Sequence, residues 1–393
     1  MSRDFLVSII DLGSICIMNT NKSAFRKITR TILSILILVS TEITLMQALS
    51  EDSNEIRLGA TLPLSGDIAP YGNLIRDGIE FAATDLRKMG YSLSIDYEDV
   101  PTPGASALSA INKLIVDKQI HALVANFWNP IIPIMAPAIT RANIIAFHTA
   151  AVDDPILDSG HTIFSTNSKI RDEAAKIANY VYEDLGARTA CVLYIGTSFG
   201  ENYKHHFTSK FENLGGKVVF SDLTKLGETD LRTVLTKIKF SSCEVLFAAY
   251  FGTNLGLVLK QAGAVGLTKQ IMAVYEAEDP SVLAVAGLAA EGLRFFVPEP
   301  KRESKAIVDF RQRFSTRFGY NPRILASNAY DAVTILVKFL SECKGDVSCT
   351  STKIYGLREY DGVSGKFSID SDGAATKEFV LKVVRNGKFD NWD

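Results

Sequence analysis

Residues 56–88 read IRLGATLPLSGDIAPYGNLIRDGIEFAATDLRK. The first seven form an apolar run of the length of a buried strand, and Pro63 stops it. Ser65, Gly66 and Asp67, followed by Tyr71 and Gly72, make a small polar loop that is permissive in backbone angle. Beyond it Leu74, Ile75, Gly78, Ile79, Ala82, Ala83 and Leu86 recur at three- and four-residue spacing, the stripe of an amphipathic helix. Strand, loop and helix in this order open an α/β sheet. Ligands bind in loops of this kind, at the carboxyl end of a strand and beside the N–H groups of a helix N-terminus. Ser65 and Tyr71 close the loop and are candidate ligand contacts. An ordinary βα connection has the same pattern, so this stretch alone assigns a fold class and not a site.

Working outward, strand-like runs fall at 92–97, 121–125, 144–147, 189–195, 217–220, 245–250, 270–274 and 293–297. Helical patterns alternate with them at 105–118, 130–141, 171–185, 200–214, 229–239, 254–264 and 279–286. Two longer helices, 303–317 and 324–341, and a β-rich tail at 366–388 complete the chain. Such alternation predicts an α/β protein with parallel sheets covered by helices on both faces. The 393 residues suit two domains, and 47% apolar with 22% charged residues is a globular composition. Two extended segments, 162–168 and 296–300, are expected to cross between lobes.

The first fifty residues differ in character. Lys22, Arg26, Lys27 and Arg30 precede an apolar run at 31–40, and Met46-Gln47-Ala48 offers a small-residue cleavage site. That order predicts a secretory signal peptide within 1–50, with translation starting at Met18, cleavage after Ala48 and a periplasmic destination. The run is about ten residues, short of the roughly 20 that span a bilayer. The net charge of −2 and the lack of a basic tract argue against nucleic acid as a partner. In an oxidising compartment Cys343 and Cys349 could close a small loop as a disulfide. Cys191, in ACVLYI, and Cys243, before EVLFAAY, are expected to be buried small hydrophobes.

No phosphate loop, GxGxxG, HExxH or GxSxG pattern occurs, and nothing pairs a nucleophile with a base. We therefore expect no enzyme, no cofactor and no metal site. Of the five histidines, the adjacent His205 and His206 would point about 100° apart on a helix, and His148 ends a strand as an ordinary loop residue. The turn at 149–155 pairs small Ala150 and Ala151 with Asp154-Pro155, the N-cap and first position of a helix, and can receive a carboxylate. Aromatic residues follow successive strands: Phe127 and Trp128, Phe199, Phe251 and Tyr275. Since such ends converge on one edge of a parallel sheet, a cleft lined by aromatics is expected.

Several blocks together resemble the type I periplasmic solute-binding proteins of the leucine/isoleucine/valine class, which serve ABC importers. They are IRLGATLPLSGDIAPYG with RDGIEFA, LVANFWNPIIPIMAPAITRANIIAFHTAAVDDPIL, CVLYIGTSFGENY, VLFAAYFGTNLGLVLKQAGAVGL and YDGVSGKFSIDSDGAATKEFVLKVVRNGKF. The resemblance implies two doubly wound lobes joined by a three-segment hinge, with ligand trapped by closure. The first lobe would combine 54–166 with 299–372 and the second 167–298 with 373–393, the third crossing lying near 367–376. It also implies a ligand set. Asn129, following Trp128, stands where a hydroxyl residue helps hold the α-carboxylate. The turn Ala150-Ala151-Val152 keeps the backbone donors, Phe199 and Phe251 replace tyrosines, and Tyr275 stands where an acidic residue receives the α-ammonium, with Glu276 one position later. An α-ammonium buried without an anionic partner costs several kcal/mol. Unless Glu276 turns inward, the expectation is therefore a small carboxylate or amide with an apolar or aromatic body, under Trp128, Phe199, Phe251 and Tyr275. The implied function is solute capture by a monomer and delivery to an ABC permease. The alternative is the ligand-sensing part of a regulator or receptor, which depends on whether the chain is exported.

Overall fold

The computed structural model describes residues 55–101, 104–125, 131–153 and 161–392. The signal region 1–50 with Met18, and Phe127, Trp128, Asn129, Asp154 and Pro155, lie outside the described residues.

β1 (Ile56–Leu62), β2 (Leu93–Asp99), β3 (Ala122–Ala125), β4 (Ile145–His148) and β5 (Ile163–Ser165) form one sheet in the order β2-β1-β3-β4-β5. All neighbouring pairs are parallel. β3 and β4 are buried along their whole length, as near-continuous apolar runs must be when helices cover both faces. The helix Ala69–Lys88 carries Pro70 in its first turn and Arg87 and Lys88 in its last, where a fixed φ and positive charge suit the two ends. It stays tight against the end of β1 because residue 72 is glycine: a Cβ there would lie 2.0 Å from the Pro63 carbonyl oxygen.

β6 (Thr189–Ile195), β7 (Lys217–Thr224), β8 (Val245–Ala249), β9 (Gln270–Ala273) and β10 (Arg294–Val297) form the parallel part of a second sheet. The three-stranded sheet that follows in sequence is antiparallel and consists of β11 (Tyr360–Gly362), β12 (Gly365–Ile369) and β13 (Ala375–Lys377). β14 (Val380–Arg385) and β15 (Lys388–Asn391) then extend the second sheet antiparallel beside β10, giving the order β15-β14-β10-β9-β8-β6-β7.

The chain thus leaves the first sheet after β5 and enters the second at β6. It leaves again after β10, adds the helices Lys305–Phe318, Ile324–Glu342 and Val347–Tyr355, and returns at β14. Helix Ile324–Glu342 packs on helix Ala69–Lys88, so its long apolar run is core and not a membrane span. The expected α/β class with two doubly wound sheets is the observed one. The β-rich tail divides between two sheets, and helix Val347–Tyr355 was absent from the sequence reading.

The cysteines require one correction. Cys343 and Cys349 are bonded as expected, but Cys191 and Cys243 are bonded as well, with Cα atoms 5.5 Å apart. Both are buried, as expected of small hydrophobes. Their pairing follows from β6 and β8 being neighbours in the sheet, a relation that 52 intervening positions do not advertise.

Candidate functional site

Each parallel sheet reverses its strand order once, between β1 and β3 in the first and between β6 and β8 in the second. Loops that leave such a switch point diverge and open a crevice at the carboxyl ends of the strands. The segments leaving β1, β4, β6, β8 and β9 supply Tyr71, Ala150 to Val152, Phe199, Phe251, and Tyr275 with Glu276.

The structure brings most of these together from opposite sheets. The Tyr71 ring meets Phe251 edge-on at 6.2 Å between centroids, and Phe251 meets Phe199 at 5.5 Å. The Ala151 N–H donates to the Tyr275 hydroxyl at 3.3 Å, joining the turn after β4 to the segment after β9. The other donors of that turn are spent locally: the Ala150 N–H on His148 Nδ1 and the Val152 N–H on the Ser168 carbonyl. Ser65 is not in this cluster. It is exposed, and its N–H, like that of Leu64, donates to Asp99.

Glu276 does turn inward. The residue is half-buried, and its Oε2 is buried without a hydrogen-bond partner. Glu276 also lines a cavity of about 20 Å³ with Tyr71, Tyr275, Asp279 and Arg323. That is room for a water or an ammonium group and not for a whole solute.

Four residues that sequence reasoning missed complete the site. Arg323 pairs with Asp279 at 2.8 Å, and its guanidinium lies 5.9 Å from the centre of the Tyr71 ring. The Tyr71 hydroxyl donates to Asp279, and burial followed by that carboxylate raises the phenol well above its usual range. Burial works against the charged form of Asp279, but Arg323 and the Ser281 N–H hold its carboxyl below the usual value. Tyr203 donates to Glu173 at 2.6 Å, and both are buried. Glu173 carried a signal: it stands on the apolar stripe of Ile170, Ala174 and Ile177, where a carboxylate is out of place. Arg323 carried none, since it precedes its helix in an irregular segment.

Among the described residues no group of histidine, cysteine or carboxylate side chains is arranged to hold a metal ion. Two α/β sheets meeting at their switch points around buried aromatic and polar groups are the architecture of a two-lobed binding protein. Comparison with known proteins agrees: the periplasmic binding protein family model matches residues 55–388, and the chain belongs to that family.

A leucine-, isoleucine-, valine-, threonine- and alanine-binding protein of Pseudomonas aeruginosa is 23% identical over 298 residues, covering 73% of this chain and 78% of that one. The Leu/Ile/Val-binding protein of Escherichia coli is 25% identical over 273 residues, covering 67% and 72%. Among solved structures, a leucine binding protein from Thermotoga maritima superposes with a TM-score of 0.79 at 21% identity, covering 86% of this chain and 98% of that one. A solute binding protein from R. palustris in complex with benzoate does so at 0.78 and 19%, covering 86% and 95%.

Proposed function

We propose that the protein is the extracytoplasmic solute-binding component of an ABC importer, and that it captures an amino acid with an apolar side chain between its lobes and delivers it to a permease. One observation carries the choice of ligand: Oε2 of Glu276 is buried at the site without a hydrogen-bond partner. A buried anion without a cation is costly, and a ligand ammonium supplies the missing charge. This meets the condition under which a zwitterion becomes acceptable, so the expected small carboxylate or amide gives way to an α-amino acid. The Leu/Ile/Val-binding names of the sequence relatives support the same class.

The lobes in this reading comprise 54–166 with 299–372, and 167–298 with 373–393. The passages after β5 and after β10 support the first two boundaries, while the third passage follows β13, between Lys377 and Val380; rotation about the three would open the aromatic contacts. Two disulfides suit an oxidising, extracytoplasmic setting. The protein would act as a monomer, and its role is binding rather than catalysis.

A second reading, an aromatic acid, is favoured by the ring cluster of Tyr71, Phe199 and Phe251 and by the benzoate complex of the R. palustris protein. A thermal-shift series with L-leucine, L-isoleucine, L-valine, 4-methylpentanoate and benzoate separates the two. A ligand at about a hundred times its Kd adds about 2.7 kcal/mol of stability. Stabilisation by the amino acids and not by 4-methylpentanoate supports the first reading. Stabilisation by benzoate alone overturns it.

A further inference from the structure

Of the three backbone donors in the turn after β4, one reaches across to the other sheet. The Ala150 N–H donates to His148 Nδ1 and the Val152 N–H to the Ser168 carbonyl, both close to the turn. The Ala151 N–H instead donates to the Tyr275 hydroxyl at 3.3 Å, across 124 positions of the chain. The turn is held from a third element: Asn328 Nδ2 donates to the Thr149 carbonyl at 2.8 Å, and Asn328 Oδ1 accepts from Lys377 Nζ at 2.6 Å. The turn also carries a second polar group, since Thr149 Oγ1 is buried without a hydrogen-bond partner among the described residues.

The acceptor is held as firmly as the donor. Tyr275 opens the short turn Tyr275–Glu278 and is 3% exposed. Its N–H donates to Glu173 Oε1 at 2.8 Å, and Glu173 Oε2 accepts from the Tyr203 hydroxyl at 2.6 Å. Glu173 lies on the helix Ile170–Asn179 and Tyr203 on the helix Ser198–Asn213. Three elements of one sheet's side thus fix the backbone from which the phenol reaches the turn of the other. The backbone being pinned, it is the phenol that can give way.

We infer that the Tyr275 hydroxyl is a built-in competitor of the solute: it bridges the two sheets by occupying the Ala151 donor, and a solute carboxylate displaces it on binding. The magnitudes favour the exchange. At 3.3 Å the bond lies beyond the usual range for N–H···O, and its acceptor is a neutral hydroxyl. A carboxylate accepts at shorter distance and about twice as strongly. The phenol therefore yields to the solute, but while it holds the donor that molecule is not competent to bind. The apparent affinity falls by the fraction of molecules in which the donor is free. Tyr275 acts here as a positioning residue that closes the turn on itself, not as a wall over the ligand.

The inference rests on a solute carboxylate reaching this turn, which the amino-acid and aromatic-acid readings share. Titration calorimetry of the whole protein with L-leucine and, separately, with benzoate compares wild type with Tyr275→Phe, which keeps the ring and loses the hydroxyl. The expected result is tighter binding by the variant, about two- to twelvefold, the net worth of one hydrogen bond. A tyrosine that only supports the fold, or one that holds the ligand, gives no change or a loss. Either outcome for a probe that binds wild type overturns the inference and leaves the ligand reading intact. Binding of neither probe to either protein overturns the carboxylate reading and the inference with it. A melting curve checks that the variant folds. Amide hydrogen exchange of the wild type without solute is the second measurement: Ala151 should be protected, and free exchange there overturns the inference whether or not the variant folds.

Discussion

The Tyr71 hydroxyl occupies the space that a side chain at residue 252 would need: a Cβ on Gly252 would lie 2.4 Å from that oxygen. Tyr71 belongs to the helix after β1 and Gly252 to the helix after β8, so this close approach joins the two sheets. Gly252 also holds a φ of +50°, which L side chains rarely adopt. Gly252→Ala should therefore keep both sheets folded and oppose their approach. Overpacking of this kind costs about 1–3 kcal/mol, so calorimetry should show Kd for the ligand found by the thermal-shift series weakened about 5- to 140-fold. Unchanged affinity would mean that the approach at Gly252 plays no part in capture.

Beside Tyr71, Arg323 at the start of helix Ile324–Glu342 pairs with Asp279 in the segment after β9. Arg323→Met leaves the Asp279 carboxyl with Tyr71 and Ser281 as partners but without a cation. A loss of about 2 kcal/mol in ligand affinity follows, with most of it in the dissociation rate, measurable by stopped-flow fluorescence. The pH dependence has a definite sign. The Asp279 carboxyl is held below its usual 3.8, so the pair contributes stability above that pH and loses it as pH falls through the depressed value. The variant should lose stability less steeply than wild type over that acid range.

The two disulfides should differ in weight. Cys191–Cys243 spans 52 positions and Cys343–Cys349 spans six. The chain-entropy estimate is about 4 kcal/mol for the longer loop and about 2 kcal/mol for the shorter. In urea melts, Cys243→Ser should lower the midpoint more than Cys349→Ser, and equal shifts would contradict the loop-length argument.

Lys377, on β13, buries its ammonium against Asn328 Oδ1 at 2.6 Å and Ser364 Oγ at 2.7 Å, near Asp331. Burial outweighs Asp331 and lowers the amine from 10.5 to about 7. The unfolded chain therefore binds one more proton between those values. Lys377 is charged and costly in the folded state below pH 7 or so, and its penalty is relieved as pH rises toward the unfolded value. That adds up to about 1.4 kcal/mol of stability per pH unit in this window. Lys377→Met should flatten the rise, as read from denaturation midpoints between neutral and alkaline pH.

Legibility varied with the range of the interaction. β6 runs over Thr189–Ile195 as its apolar pattern predicts, because a strand buried on both faces leaves a continuous run in sequence. Helix Ala69–Lys88 follows from its stripe in the same way. The helix Val347–Tyr355 was missed because it is short and polar, with only Thr350 and Ile354 buried. The predicted helix 171–185 ends earlier as an α-helix, at Asn179, and finishes in one wider turn over Tyr180–Asp184. At the site, the aromatic residues after successive strands were visible as a recurrence, and Phe199, Phe251 and Tyr275 do come together with Tyr71.

The amino-acid sequence by itself determined the alternation of strand and helix and the parallel sheets covered on both faces, because hydrophobic periodicity and turn chemistry act over neighbouring residues; the division into two doubly wound lobes was implied by the family resemblance. Only the tertiary structure decided that Glu173 bonds the Tyr275 N–H, that Tyr71 reaches Asp279 and Arg323, and that Cys191 meets Cys243. Each of those relations joins segments at least 52 positions apart, and it is sheet order and the meeting of the segments that leave the two sheets that bring them together.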